Sequence, residues 1–371
     1  SKTVRVRDLR TGESRDDRYD FLVLSPGAKP IAPPIPGIDH PKVMTLRNMA
    51  DMDRLRAAAD AGAKRAVVVG GGYIGIEMAE NLVARGVQVT LVEMAKQVLT
   101  FLDPEMAELA HGAMRERGVE LRLGDRVVEL RSRAATGGSS SEGADSGDGS
   151  TLDVVLASGA ALPADLVVLA IGVTPEVTLA RDAGLQLGPS SAIAVDERMR
   201  TSAPSIFAVG DAAEVTHFVT KSKARIPLAG PANRQGRVAA NNICGIPSTY
   251  AQTQGTSIIQ VFELVCAATG ASAALLRASG VEFKTVRVHG KSHAGYYPGA
   301  ETVHLTVHYA PGDGRLLGAQ ACGVEGIDKR IDVLAVGMRH GATVYDLEDY
   351  ELSYAPPFGS AKDPINMVGF A

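Results

Sequence analysis

Val67-Val68-Val69-Gly70-Gly71-Gly72-Tyr73-Ile74-Gly75-Ile76-Glu77 carries an apolar strand straight into a glycine turn and on into a helix-compatible stretch that closes at Gly86. A bare G-x-G-x-x-G says little, but between a strand and a helix each glycine has its own task. Gly70 permits the tight turn, Gly72 lets a pyrophosphate approach the backbone, and Gly75 lets the helix lie close to the strand. The helix start, from Tyr73 and Ile74 on, then turns N–H donors and the positive end of its dipole toward the phosphates. The next apolar strand, Val87–Val92, ends in Glu93, where an acid accepts hydrogen bonds from an adenosine ribose. A carboxylate there repels a 2′-phosphate, and Met94, Ala95 and Lys96 follow it rather than an arginine, so the stretch predicts NADH in preference to NADPH. The plainer alternative is a glycine-rich turn beside a solvated glutamate. Glu77 stands in the first helical turn, where the dipole alone favours an acid, so a structural and a site role both stand. Tyr73 either packs or covers the nicotinamide pocket.

Outward from this motif, residues Arg65 to Ile171 read as alternating strand and helix followed by paired strands, one nucleotide-sized α/β unit. Upstream, Val4, Val6 and Leu9 alternate with charged residues before a turn at Thr11-Gly12 and a buried strand within Tyr19–Leu24. Ser25-Pro26-Gly27 stops that strand, and the proline-rich run from Pro30 to Gly37 is an extended connector at a domain crossing. Residues 134–150 are small and polar, the composition of a hairpin tip between strands near 126–132 and 152–157. A second strand meets glycine at Ile206–Gly210, ahead of a helix pattern from Ala232 to Ile243. From Tyr250 onward, antiparallel strand patterns precede a helix near Asp328–Arg339, whose Ile331, Leu334, Ala335 and Met338 form one apolar stripe.

The chain has 371 residues, 45% hydrophobic and 22% charged, with a net charge of −4, a balance that excludes a disordered tail and argues against nucleic acid as the partner. Its apolar runs are too short for a membrane span and no signal segment opens it, so a soluble, cytoplasmic protein without a membrane partner is expected. Cys244, Cys266 and Cys322 are too few and too scattered for a disulfide framework or a metal knuckle, and no metal is expected.

Gly70–Gly75 with Glu77, taken together with Thr201-Ser202-Ala203-Pro204-Ser205-Ile206-Phe207-Ala208-Val209-Gly210-Asp211, resembles the two nucleotide signatures of the pyridine nucleotide-disulfide oxidoreductases. The run Tyr354-Ala355-Pro356-Pro357-Phe358-Gly359-Ser360-Ala361-Lys362-Asp363-Pro364, with Tyr296-Tyr297, is similar to the CoA-disulfide reductase subgroup. The resemblance extends over essentially the whole chain. It implies an α/β fold with two Rossmann-like nucleotide-binding domains, the FAD domain partial, and a C-terminal α+β dimerisation domain. The expected divisions are 1–40 and 173–249 for FAD, 41–172 for NAD and 250–371 for dimerisation, in a homodimer.

By the same resemblance, Asp211 after Gly210 meets the FAD ribityl chain, and Leu228-Ala229 approach the flavin ring at a helix start. Ser25 and Gly27 turn a strand beside FAD, and Gly172 passes the NAD. Taken alone, Gly210-Asp211 is also an ordinary strand-end turn. Tyr354 and one of Tyr296 and Tyr297, Tyr296 being preferred, are implied at the disulfide site, where their hydroxyls come from the partner subunit and hydrogen-bond or protonate a departing thiolate. Adjacent tyrosines point to opposite faces if extended, so only one reaches it.

Family members begin with a strand and glycine turn for the FAD pyrophosphate and then a redox cysteine. Neither stands here, so the chain is expected to start mid-domain, as a fragment of a longer enzyme or a degenerate relative. The implied parent activity is FAD-dependent, NADH-oxidising reduction of CoA disulfide or a related persulfide. Alternatives are an NADH oxidase or peroxidase, or a non-catalytic NAD-binding fragment.

Overall fold

A computed structural model describes residues 2–133 and 151–371. The polar tip expected at 134–150 lies outside the described residues, while the strands flanking it, Val127–Arg133 and Thr151–Leu156, pair antiparallel. The chain folds into two compact units, one of Ser1–Lys29 with Thr174–Gly255 and one of Pro30–Val173 with Thr256–Ala371.

In the first unit, the alternating N-terminal segment forms the antiparallel pair Thr3–Arg7 and Ser14–Arg18. Strand Leu22–Leu24 then lies parallel to Ile206–Ala208, and Val209 N–H continues the ladder onto the Leu24 carbonyl at 3.0 Å. Leu24, Ile193, Ile206, Ala208 and Ala212 form one buried cluster beneath them. Helix Ala229–Ile243 buries Val238 and Ala239 beside Phe207 and Val209. This helix starts three residues before the expected Ala232, because Pro231 falls in the first turn, where a missing N–H costs no hydrogen bond.

The second unit holds two five-stranded sheets. Its parallel sheet runs in the order Val43–Thr45, Leu166–Leu169, Arg65–Val69, Gln88–Glu93, Glu120–Leu123. Helices Tyr73–Ala84 and Pro104–Glu116 contribute Ile76, Ala79, Leu82, Ala107, Ala110 and Met114 to the core against Ala66, Val68, Val89 and Leu91. Val67, Val69, Val167 and Leu169 alternate to the opposite side and meet Leu130, Leu152, Val154 and Leu156 of the antiparallel strands. Both faces of the parallel sheet are therefore covered at its centre, which is why Ala66–Val69 and Leu166–Leu169 read as unbroken apolar runs.

The antiparallel sheet runs Ser257–Val261, Leu264–Gly270, Leu316–Gly323, Thr302–Tyr309, Lys284–Lys291. Helix Ile327–Arg339 lies on its middle strands and buries Ile331, Leu334 and Met338. The apolar stripe thus faces the chain's own core and by itself says nothing of assembly. Among the described residues no helix is long and apolar enough to cross a membrane.

Candidate functional site

Strand Arg65–Val69 delivers the chain to Gly70, whose φ of +110° lies where a side chain is disfavoured and whose Cβ would run into the Ala170 carbonyl. A Cβ on Gly75 would overlap the Gly70 carbonyl oxygen, so the helix approaches the strand end as closely as backbone allows. Gly72 is the contrast: its Cβ would meet nothing within 4 Å, and it caps helix Tyr73–Ala84 with no side-chain hydrogen bond. An uncapped helix start with open space before it is the geometry a phosphate group requires. Glu93 turns back toward this loop, accepting the Gly71 N–H at 2.6 Å on one carboxylate oxygen and the Ala95 N–H at 2.7 Å on the other. Gly172 closes the neighbouring turn, its carbonyl accepting the Ile31 N–H at 3.0 Å.

Tyr73 is packed in this structure, its ring stacked on Phe101 at a centroid distance of 5.0 Å and its hydroxyl donating to Ser257 Oγ at 2.7 Å. Burial pushes its phenol up, against the opposing pull of the Ser257 hydrogen bond. Glu77, one turn on, lies at the surface of the helix, its carboxyl shifted up by desolvation against the surrounding protein and then by Glu80.

In the first unit, Gly210–Ala212 forms a single 3-10 turn at the end of strand Ile206–Ala208. Gln235, buried in helix Ala229–Ile243, accepts the Gly210 N–H at 2.7 Å and ties this turn to the helix. A Cβ on Gly210 would lie 3.7 Å from Ala232 and 3.9 Å from the Ser25 hydroxyl, so Ser25, Gly210 and the helix start converge. Asp211 is half-buried, and desolvation raises its carboxyl. Leu228 caps the helix without a side-chain hydrogen bond and Ala229 is exposed at its start. Gly27 contributes backbone, its carbonyl accepting the Glu176 N–H at 2.9 Å. An uncapped helix start beside an exposed serine and a half-buried acid suits the ring and ribityl side of a flavin.

Two tyrosines far apart in sequence are brought together: the hydroxyls of Tyr296 and Tyr354 lie 3.1 Å apart. Tyr296 is 76% exposed and Tyr354 51%, so the pair is presented rather than stored in a core. The hydrogen bond to Tyr354 holds the Tyr296 phenol above its ordinary value. Residues 296 and 297 occupy a turn, not an extended strand, and it is this turn that separates their rings. Tyr297 sits edge-on to His293 at 5.8 Å, away from the pair. The Ala294 N–H donates to the Pro356 carbonyl at 3.2 Å, joining the loop of Tyr296 to the double proline that follows Tyr354.

Cys266 and Cys322 are fully buried opposite each other on adjacent strands, and the Cys322 thiol is pushed up by its hydrogen bond to Cys266 and by burial. Such thiols are poor nucleophiles. Cys244 is exposed and follows the last turn of helix Ala229–Ile243. No group of three or more metal-ligating side chains occurs among the described residues.

Sequence reasoning overlooked Phe101, Gln235 and Arg330, and took Asp363 only as part of the run from Tyr354 to Pro364. Asp363-Pro364 carries a readable signal, an N-cap acid before a proline at the first helical position. Arg330, next to an apolar stripe, gives none.

Residues 1–236 match the family model described as pyridine nucleotide-disulphide oxidoreductase, and residues 256–363 match that family's dimerisation domain. The family uses FAD and NAD(P)H. The coenzyme A disulfide reductase of Staphylococcus haemolyticus is 32% identical over 371 residues, covering 100% of this chain and 79% of the relative. The NADH oxidase of Methanocaldococcus jannaschii is also 32% identical over 371 residues, covering 99% of this chain and 79% of the relative. The crystal structure of reduced CoADR-RHD from Bacillus anthracis superposes with a TM-score of 0.93 at 46% identity, covering 100% of this chain and 64% of that one. This chain therefore spans just under two thirds of the Bacillus anthracis protein.

Proposed function

Because the chain belongs to the pyridine nucleotide-disulphide oxidoreductase family, we propose that the whole protein carrying it is an NADH-dependent reductase of CoA disulfide or a related CoA persulfide. The observation that carries this reading is the exposed hydroxyl pair of Tyr296 and Tyr354, 3.1 Å apart. The balanced reaction is NADH, a disulfide and one proton giving NAD⁺ and two thiols. Bound FAD would supply a hydride acceptor for NADH and two-electron transfer toward sulfur.

This chain's own residues bind and orient. Gly70, Gly72 and Gly75 with the start of helix Tyr73–Ala84 hold the pyrophosphate, and Glu93 takes the ribose hydroxyls and disfavours a 2′-phosphate. Tyr73, Ile74, Glu77 and Gly172 lie along the rest of the dinucleotide. Ser25, Gly27, Asp211, Leu228 and Ala229 hold the ribityl and ring side of FAD. Tyr354, with Tyr296 hydrogen-bonded to it, donates a proton to the thiolate that leaves when the substrate S–S bond breaks. Tyrosine phenols carry their proton at neutral pH, and the hydrogen bond to Tyr354 shifts Tyr296 further up. Assembly is as a homodimer through the residues that match the dimerisation domain.

A second reading, reduction of oxygen, is favoured by the NADH oxidase relative. NADH consumption by the whole protein with CoA disulfide under anaerobic conditions, against oxygen alone, decides between them. Turnover confined to oxygen would remove the disulfide reading.

A further inference from the structure

We infer that Arg330 is the positioning residue for the Tyr296–Tyr354 pair, holding the two chain segments that present those hydroxyls; this rests on the reading of the pair as proton donor. Arg330 is 1% exposed, the largest of the fully buried side chains among the described residues, although it stands in a helix with an exposed face. Its guanidinium meets three separate stretches of chain. Nη2 donates to the Ser292 carbonyl at 2.8 Å and to Asp363 at 2.8 Å, Nε donates to Asp363 at 3.3 Å, and Nη1 donates to the Gly326 carbonyl at 2.9 Å. Ser292 opens the loop that carries Tyr296, and its N–H bonds the Glu301 carbonyl at the loop's other end at 2.8 Å. Asp363 closes the segment that carries Tyr354.

That segment, residues 351–363, contains neither helix nor strand, so no backbone ladder fixes it. Its ends are held instead by side chains. Asn366 donates to the Tyr350 carbonyl at 3.0 Å and accepts the Asp363 N–H at 3.2 Å, while Asp363 takes the arginine. Between these ends, the bond from Ala294 N–H to the Pro356 carbonyl is a direct tie between the two segments. Two phenols on irregular backbone keep a 3.1 Å contact only if both backbones are fixed, and one planar fork reaching both does that.

Ion pairing alone does not explain the arrangement. Buried ion pairs are commonly matched or bettered by apolar side chains of similar volume, whereas such side chains could not bond the Ser292 and Gly326 carbonyls. The chain also makes room for the guanidinium: a Cβ on Gly326 would collide with Arg330 Nη1.

The test uses the whole FAD-loaded protein with two variants, Arg330→Lys, which keeps charge but loses the fork, and Arg330→Met/Asp363→Asn, which removes both charges while keeping a capping side chain at the start of helix Pro364–Phe370. Three readouts are taken: amide exchange at Ala294 against the strand Thr302–Tyr309, the rate of flavin reduction by NADH, and the rate of its reoxidation by CoA disulfide. Both variants are expected to exchange Ala294 at least about ten-fold faster with the strand unchanged, and to reoxidise about ten-fold or more slowly with flavin reduction unaltered. Unchanged Ala294 exchange in the folded double variant, or full rescue by lysine, would overturn the proposal. Faster Ala294 exchange with unaltered reoxidation would uphold the hold of Arg330 on the loop and remove the tyrosines from the chemistry.

Discussion

Glu93 accepts the N–H of Gly71 at 2.6 Å, so the acid that ends one strand clamps the glycine turn that ends its neighbour. With its second oxygen on the Ala95 N–H, the carboxylate is oriented by two backbone donors and retains further acceptor lone pairs. Glu93→Ala is therefore expected to weaken NADH binding by about 1–3 kcal/mol, through the lost ribose contact and a looser turn. Titration of NADH and NADPH against the parent and the variant checks this. Equal affinity for both cofactors in the parent would contradict it.

The glycines of the same turn separate folding from binding. Gly75→Ala must push the helix off the Gly70 carbonyl and is expected to lower stability by about 1–3 kcal/mol. Gly72→Ala, with open space around its Cβ, is expected to unfold within about 0.5–1 kcal/mol of the parent while binding NADH more weakly, since the methyl occupies the pyrophosphate's approach. Denaturant unfolding with and without NADH distinguishes the two; a Gly72→Ala protein with undiminished affinity would remove the phosphate from this loop.

Asp103 and His308 make stability sensitive to acid. They are 2% and 0% exposed with Asp103 Oδ2 and His308 Nε2 2.9 Å apart, and Asp103 also accepts the Ala273 N–H at 3.0 Å. Desolvation pushes the Asp103 carboxyl up, but the His308 hydrogen bond and charge together with Ala273 and Gln320 outweigh it and leave it below the ordinary aspartate value. A folded-state value below the unfolded one means stability that is present above about pH 4 and is lost as pH falls through the folded value. Unfolding midpoints from pH 6 to pH 3 should drop more steeply in the parent than in Asp103→Asn. Asp103→Ala at pH 7 should cost about 1–3 kcal/mol by leaving the buried Ala273 N–H and His308 Nε2 without the carboxylate that faces them. Parallel pH profiles for parent and Asp103→Asn would show that this pair does not set the acid limit.

The glycine motif was legible because strand, turn and helix each leave a local mark: Val67–Val69 are apolar, Gly70 and Gly75 admit no Cβ, and Glu93 sits at a strand end. The buried Cys266 and Cys322 were legible for the same reason, lying in apolar strands. Long-range polar contacts leave no such mark. Nothing local to Arg330 shows that its guanidinium meets Ser292 and Asp363, thirty-eight and thirty-three residues away. The stacking of Tyr73 on Phe101 depends likewise on a loop path that no periodicity reports. The stripe Ile331, Leu334 and Met338 was visible, but its pattern is equally that of a core-facing helix, and that is where the structure puts it. The tyrosine pair came within reach only through resemblance, since residues 296 and 354 share no element.

The proton-donating role of that pair is the central claim, and single-turnover kinetics of Tyr354→Phe in the whole protein tests it most directly. The variant keeps the ring and loses only the hydroxyl that lies 3.1 Å from Tyr296. Flavin reduction by NADH should proceed at the parent rate, while reoxidation by CoA disulfide should slow by about one to three orders of magnitude. Both half-reactions running at the parent rate would make the tyrosines structural and contradict the account.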